Sequence, residues 1–189
     1  VRDQLVPKTT ILDPQEIRRV IRRMAVEVVE QCGDLAALML VGIRTRGVPL
    51  AQRLAAEIQE MEGVEVSRGI LDITLYRDDL SAIGPQAVVK QTHLAEPVDG
   101  RVVVLCDDVL YTGRTVRAAL DALLDYGRPR AVRLAVLIDR GHRELPVQAE
   151  VVGKKVPTAA SEVIEVLFEE TDDRDEVRIL ERLDGGDKG

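Results

Sequence analysis

Arg101-Val102-Val103-Val104-Leu105-Cys106-Asp107-Asp108-Val109-Leu110-Tyr111-Thr112-Gly113-Arg114-Thr115 begins with an apolar run in which Val102, Val103 and Val104 are β-branched. That composition predicts a strand buried on both faces, as in parallel sheets. Asp107 and Asp108 follow it, at the carboxyl end where open α/β sheets bind ligands. Thr112, Gly113 and Thr115 form a small polar loop. It leads into Val116 to Leu124, whose spacing is helical and which Gly127 and Pro129 terminate. A loop at a helix N-terminus offers unpaired N–H groups and the positive end of a dipole, so it suits a phosphate. Thr112 and Thr115 add hydroxyl donors, and Gly113 permits a positive φ or a close backbone approach. The two carboxylates repel a phosphate; they suit a ribose diol, Mg2+ or a cationic transition state. A ribose 5-phosphate bearing a metal-bound pyrophosphate has all these parts. The alternative is an ordinary βα turn with acids at a strand end.

The chain of 189 residues is 46% hydrophobic, enough for one domain with a core. No apolar run reaches the roughly 18 residues of a membrane span. No signal-peptide pattern is visible, so a cytoplasmic location is expected. Cys32 and Cys106 stand far apart in no CxxC pattern and read as reduced core residues. His93 and His142 are the only histidines, which excludes a His-rich metal site. A net charge of −7 argues against general nucleic-acid affinity. With no Trp, one Phe and three Tyr there is no aromatic platform for single-stranded bases. The acidic run from Glu169 to Glu176 reads as a solvated turn.

Asp13-Pro14-Gln15-Glu16 has the N-cap Asp, N1 Pro and N3 Glu of a helix start, and Gly33 is its stop. Ile17, Ile21, Met24, Val28 and Cys32 make its buried stripe. Arg18, Arg19, Arg22 and Arg23 lie away from that stripe, as a solvated face paired with Glu27 and Glu30 or as a binding face. Ala37-Leu38-Met39-Leu40-Val41 is a second buried strand. It ends in Gly42-Ile43-Arg44-Thr45-Arg46-Gly47, and Pro49 starts a helix carrying Leu50, Leu54 and Ile58. The two arginines at this strand end can clamp a pyrophosphate; the alternative is a plain surface turn. Val64 to Tyr76 reads as one or two strands. The polar stretch beyond it, with Gly84, Pro85 and Pro97, reads as a lid over about 76–98 in which only Ala87-Val88-Val89 resembles a strand. Ala131 to Ile138 is a further buried strand. Val151 to Thr158 and Val163 to Leu167 are strand-like, Val177 to Leu180 reads as an edge strand, and 184–189 as a frayed tail. No repeat or linker divides the chain.

The central stretch resembles the phosphoribosyl pyrophosphate (PRPP) motif of type I phosphoribosyltransferases, and Gly42 to Gly47 resembles the pyrophosphate loop of the same family. The resemblance implies an α/β fold: a single type I phosphoribosyltransferase domain over 1–189, with a central mainly parallel sheet flanked by helices, a small hood at about 139–167 and a long flexible lid loop. It also implies a non-proline cis peptide before the basic residue, at Thr45–Arg46. Three longer stretches, Ile70 to Leu80, Asp108 to Arg117 and Asp139 to Pro146, are similar to one branch, the bifunctional pyrimidine-operon attenuation regulators with uracil phosphoribosyltransferase activity.

That branch implies transfer of phosphoribose from PRPP to uracil, giving UMP and pyrophosphate, and UMP-dependent binding of pyrimidine-operon leader mRNA. Tyr111, Thr112, Gly113, Arg114 and Thr115 would hold the 5-phosphate. Asp107 and Asp108 would hold the ribose hydroxyls and stabilise positive charge at C1. Thr45 and Arg46 would take the pyrophosphate with Mg2+, whose shell is filled by ligand oxygens and water, with Asp107 or Asp108 as a further donor. Arg77 and the lid would close over it, and Ile138, Asp139 and Arg140 would border the base. Arg18, Arg19, Arg22, Arg23, Arg143, Lys154 and Lys155 would face RNA. The sequence departs from the RNA-binding pattern at Val26, where a His is common, and at Gln148, where a basic residue is common. A homodimer or larger homo-oligomer is implied. The alternatives are a transferase for a purine or orotate, and a non-enzymatic α/β scaffold.

Overall fold

The computed structural model describes residues 4–78 and 91–183. The readings of Ala87 to Val89 as a strand and of 184–189 as a frayed tail, and the middle of the lid, lie outside the described residues. The chain runs β1 (Gln4–Leu12), α1 (Pro14–Cys32), β2 (Leu38–Ile43), α2 (Gly47–Glu62), β3 (Ser67–Leu71), β4 (His93–Leu94), β5 (Val102–Leu110), α3 (Arg114–Leu124), β6 (Ala131–Asp139), β7 (Val151–Lys155), β8 (Glu162–Leu167), α4 (Glu169–Asp172) and β9 (Glu176–Leu183).

Among the described residues the main sheet has six strands in the order β4-β3-β2-β5-β6-β7, parallel except where β4 meets β3. Successive side chains of its inner strands go to opposite faces. Leu38, Leu40, Val104, Cys106, Ala135 and Leu137 pack under α1 and α2. Met39, Val41, Val103, Leu105, Leu134 and Val136 pack under α3. With both faces covered, each inner strand must be apolar throughout, which is why these runs were conspicuous in the sequence.

The start of α1 forms as its sequence predicts. Glu16 N–H donates to Asp13 Oδ1 at 2.8 Å, and Asp13 N–H donates to Glu16 Oε2 at 2.9 Å. Losing such a cap costs about 1 kcal/mol.

Several sequence expectations are corrected. Val177 to Leu180 is not an edge. It belongs to β9, the middle strand of a separate antiparallel sheet ordered β1-β9-β8. Its hidden partner is β1, whose Pro7 and Lys8 blur the strand pattern; a proline is tolerated there because β1 is itself an edge. The hood expected over 139–167 is divided: β7 joins the main sheet beside β6, and β8 joins β1 and β9. Val64 to Tyr76 holds one strand, β3, followed by a short 3-10 turn at Thr74–Tyr76. Asp72 Oδ1 ends the strand by accepting from both N–H and Oγ1 of Thr74, at 2.8 and 2.5 Å. The last part of the lid segment is packed: β4 pairs with β3, and Val98 is fully buried. The acidic run is no solvated turn. It contains α4, and Asp172, Glu170 and Asp175 are ion-paired to Arg46 and Arg53 of the α2 region.

Candidate active site

Both loops read from the sequence as phosphate binders meet at one place along β5. On the β2 side, pairing ends at Gly42↔Cys106. On the β6 side it continues through Asp107↔Val136 to Leu110↔Asp139. The strand therefore runs on through the acidic pair, four residues past the end expected from its apolar run. Asp107 and Asp108 sit where β5 has lost one neighbour, and α2 begins beside them. A Cβ on Gly47 would lie 2.1 Å from the carbonyl oxygen of Cys106, so only glycine allows the second loop to come this close.

Asp107 is buried, at 7% exposure, and Asp108 is half-buried. Desolvation, and for Asp107 the neighbouring charge of Asp108, push both carboxyls above the usual carboxylate range. Among the described residues neither carboxylate is hydrogen-bonded to a cationic side chain. The nearest compensation is the charge of Arg46, which acts on Asp108.

The loop after β5 is held from behind. Gly113 takes φ +94° and starts α3. The carbonyl of Thr112 accepts from the N–H of Glu144 at 2.9 Å and of Leu145 at 3.1 Å. Arg143 donates through Nη1 to the carbonyl of Tyr111 at 2.8 Å and through Nε to that of Val147 at 3.0 Å, and pairs with Asp139 at 2.7 Å. Arg77, Asp78, Thr112, Arg114 and Thr115 line a cavity of about 490 Å³ in front of this loop. Arg114 is ion-paired on the rim with Asp78 at 2.5 Å and Glu144 at 2.7 Å.

Thr45 is exposed and Arg46 partly so. The non-proline cis peptide is Arg44–Thr45, one bond before the expected Thr45–Arg46. Arg44 N–H still bonds to Leu71 O at 3.0 Å as the last residue in step with β3, so the chain leaves the sheet directly after Arg44. Arg46 makes a two-pronged pair with Asp172.

The side chains expected to border a base have other partners. Ile138 is fully buried. Asp139 accepts from Gly141 N–H and Arg143. Arg140 is buried, stacks 4.0 Å from the centre of the Tyr111 ring, and donates to Thr158 Oγ1 at 3.0 Å and Glu162 O at 2.8 Å. It joins the loop after β5 to the start of β8.

The residues expected to face RNA separate into groups. Arg23 pairs with Glu27 and reaches the carbonyls of Val152 and Gly153, which places it against β7 beside exposed Lys154 and Lys155. Arg19 and Arg22 are exposed on the same helix, as is Val26. Arg18 instead lines a cavity with Arg53, Glu169 and Asp175. Arg143 does not belong to the basic face, because its guanidinium is engaged on backbone carbonyls behind the loop after β5.

Two clamps were missed: Arg46 and Arg53 on the acidic run, and Arg140 on Tyr111. The first left a trace in the sequence, since residues seven apart share a helix face and the acids recur downstream. The second left none.

A phosphoribosyl transferase domain matches residues 8–170. The chain belongs to the phosphoribosyltransferase family, in its bifunctional PyrR branch. Bifunctional protein PyrR of Deinococcus radiodurans is 54% identical over 178 residues, covering 94% of this chain and 97% of the relative. The protein of that name from Thermus thermophilus is 55% identical over 175 residues, covering 93% and 97%. Among solved structures, the hypoxanthine phosphoribosyltransferase of Trypanosoma cruzi superposes with a TM-score of 0.70 at 15% identity, over 94% of this chain and 98% of that one. That of Staphylococcus aureus gives 0.68 at 17%, over 95% and 94%. At these identities the structures establish the phosphoribosyltransferase fold, and the PyrR relatives establish the branch. Among the described residues no helix is long and apolar enough to cross a membrane.

Proposed function

We propose that this protein transfers the phosphoribosyl group of PRPP to uracil, and that with UMP bound it binds pyrimidine-operon leader mRNA. The observation that carries the transfer is the pair of buried Asp107 and half-buried Asp108, set between the Tyr111–Thr115 loop and Arg46. In the reaction the bond from C1 to the pyrophosphate oxygen breaks, the bond from C1 to uracil N1 forms, and the N1 proton leaves. Positive charge grows on C1 and the ring oxygen. Two desolvated carboxylates already in place stabilise that charge without reorganisation. They also accept from the ribose hydroxyls, while the loop N–H groups and threonines hold the 5-phosphate. Arg46 and Thr45 take the departing pyrophosphate, and Arg77 and the lid exclude water from the cation. Ile138 to Arg140 border the base through the shape of their segment.

The donor set fits Mg2+: two hard carboxylates are too few to hold the ion alone, and suit an ion that brings PRPP oxygens and water with it. Bound there, Mg2+ would neutralise the charge accumulating on pyrophosphate.

The mRNA partner is supported by the basic face of Arg19, Arg22, Arg23, Lys154 and Lys155 on an acidic chain. A cytoplasmic homodimer or larger homo-oligomer completes the reading. Incubation with PRPP, Mg2+ and each base separately tests the transfer. UMP formation from uracil is the expected result, and equal or better turnover of hypoxanthine or orotate overturns the assignment.

A further inference from the structure

Arg46 reaches the site from the start of α2 and meets a carboxylate from the far end of the chain. Its Nη2 donates to Asp172 Oδ1 at 2.7 Å and its Nε to Oδ2 at 3.2 Å. This is a side-on pair, and it takes up one edge of the guanidinium. Nη1 has no protein partner among the described residues. The nearby charges of Asp108 and Glu165 also act on Arg46.

Asp172 is held in turn. Its Oδ2 accepts from Thr171 Oγ1 at 2.7 Å and from Phe168 N–H at 3.1 Å. The segment that carries it is fastened to α2 a second time. Arg53 is bonded to Glu170 at 2.8 and 2.7 Å and to Asp175 at 2.9 and 2.6 Å, and it lies 4.8 Å over the buried Phe168 ring. A carboxylate fixed on this many sides cannot swing with a mobile arginine, so the arginine is fixed to it.

We propose that Asp172 is a positioning residue: it holds the Nε–Nη2 edge of Arg46 so that the Nη1 edge stays available to the substrate's pyrophosphate. The inference rests on the proposed role of Arg46 as a pyrophosphate ligand. An arginine on a loop loses side-chain freedom when it binds an anion, and that loss weakens binding. Here the loss is met on folding. The remaining N–H groups of the guanidinium are enough for a phosphate oxygen. Asp172 also ties the small sheet to the pyrophosphate loop, since α4 links β8 to β9.

The test measures pyrophosphate and PRPP binding to the full chain with Mg2+ by titration calorimetry, together with steady-state kinetics. Asp172→Ala is expected to weaken both ligands and raise KM for PRPP by about tenfold, the scale of one ordered side chain. The change in kcat and in KM for uracil should stay within about twofold. Asp172→Glu, which keeps the carboxylate, should recover part of the loss. In an Arg46→Ala background, adding Asp172→Ala should change pyrophosphate affinity by less than about twofold, because the two residues act as one unit. An unchanged pyrophosphate affinity in Asp172→Ala overturns the proposal. So does a loss of equal size with and without Arg46, which would mean that Asp172 acts through the fold. Pyrophosphate binding needs no base, so a wild-type chain that binds it and makes no UMP overturns the proposed reaction alone.

Discussion

The guanidinium of Arg143 donates to the carbonyl of Tyr111 at 2.8 Å, from a segment that follows the next strand of the main sheet. It is the strut of the loop after β5. Arg143→Ala is therefore expected to lower kcat/KM for PRPP by about 10- to 100-fold, the cost of a reacting group misplaced by about an ångström. Kinetics beside a thermal melt will decide. Full activity in a folded variant would show that the loop stands without its strut.

The acidic pair of Asp107 and Asp108 costs the fold stability. Burial raises both carboxyls, so the folded state holds their protons more tightly than the unfolded chain does. Stability from these groups therefore rises as pH falls through the folded values, and their burial costs most above them. Asp107→Asn with Asp108→Asn should lose at least about 10²-fold in kcat/KM. It should also melt about 2–4 °C higher at pH 7.5, the shift expected for about 1 kcal/mol in a domain of this size. The gain should shrink toward pH 4.5. A lower melting point at neutral pH would contradict the argument.

Asp172 has the opposite sign. Its hydrogen bond from Arg46 lowers its carboxyl from 3.8 to about 2. The stability it contributes is complete above the unfolded value and is lost as pH falls through the folded one. Wild type should thus lose a component of stability between about pH 4 and pH 2 that Asp172→Asn lacks. Urea titrations at pH 5 and pH 3 measure it, and parallel losses in the two proteins would refute it.

The basic face makes a separate claim. Arg22 and Lys155 are exposed, on α1 and on the edge strand β7. Replacing both with Ala should weaken leader-RNA binding by about 1–3 kcal/mol and flatten its salt dependence. Uracil transfer should persist. Arg18→Ala, at a residue that lines the cavity beside Arg53 and Asp175, should leave RNA affinity within about 0.5 kcal/mol. UMP should tighten RNA binding, and RNA should tighten UMP equally. Gel-shift titration with and without UMP tests all of this, and an affinity indifferent to both UMP and the double variant would reduce this surface to solvated charge.

The buried strands, the capping box at Asp13 and the two loops at strand ends were legible because each is written locally, in apolar runs, small polar residues and glycines. What stayed hidden joins distant segments. Arg143 reads as one more basic residue until Tyr111 and Val147 are placed around it. Asp172 reads as one acid in a run of acids until α2 brings Arg46 to it. β1 was missed because its partner in the sheet, β9, lies more than 160 residues further along the chain. The extent of β5 was misjudged because its tolerance for two acids depends on β2 ending first.

The pairing of Gln4 with Leu183 sets an order on biosynthesis. β1 leaves the ribosome before β9 and must wait until β9 has been made. Every strand of the main sheet is available before then. The protein should therefore pass through a stage with the large sheet assembled and an unpaired first strand exposed. An arrested nascent chain ending before Glu176 should be cut by protease within residues 4–12 while its main sheet survives.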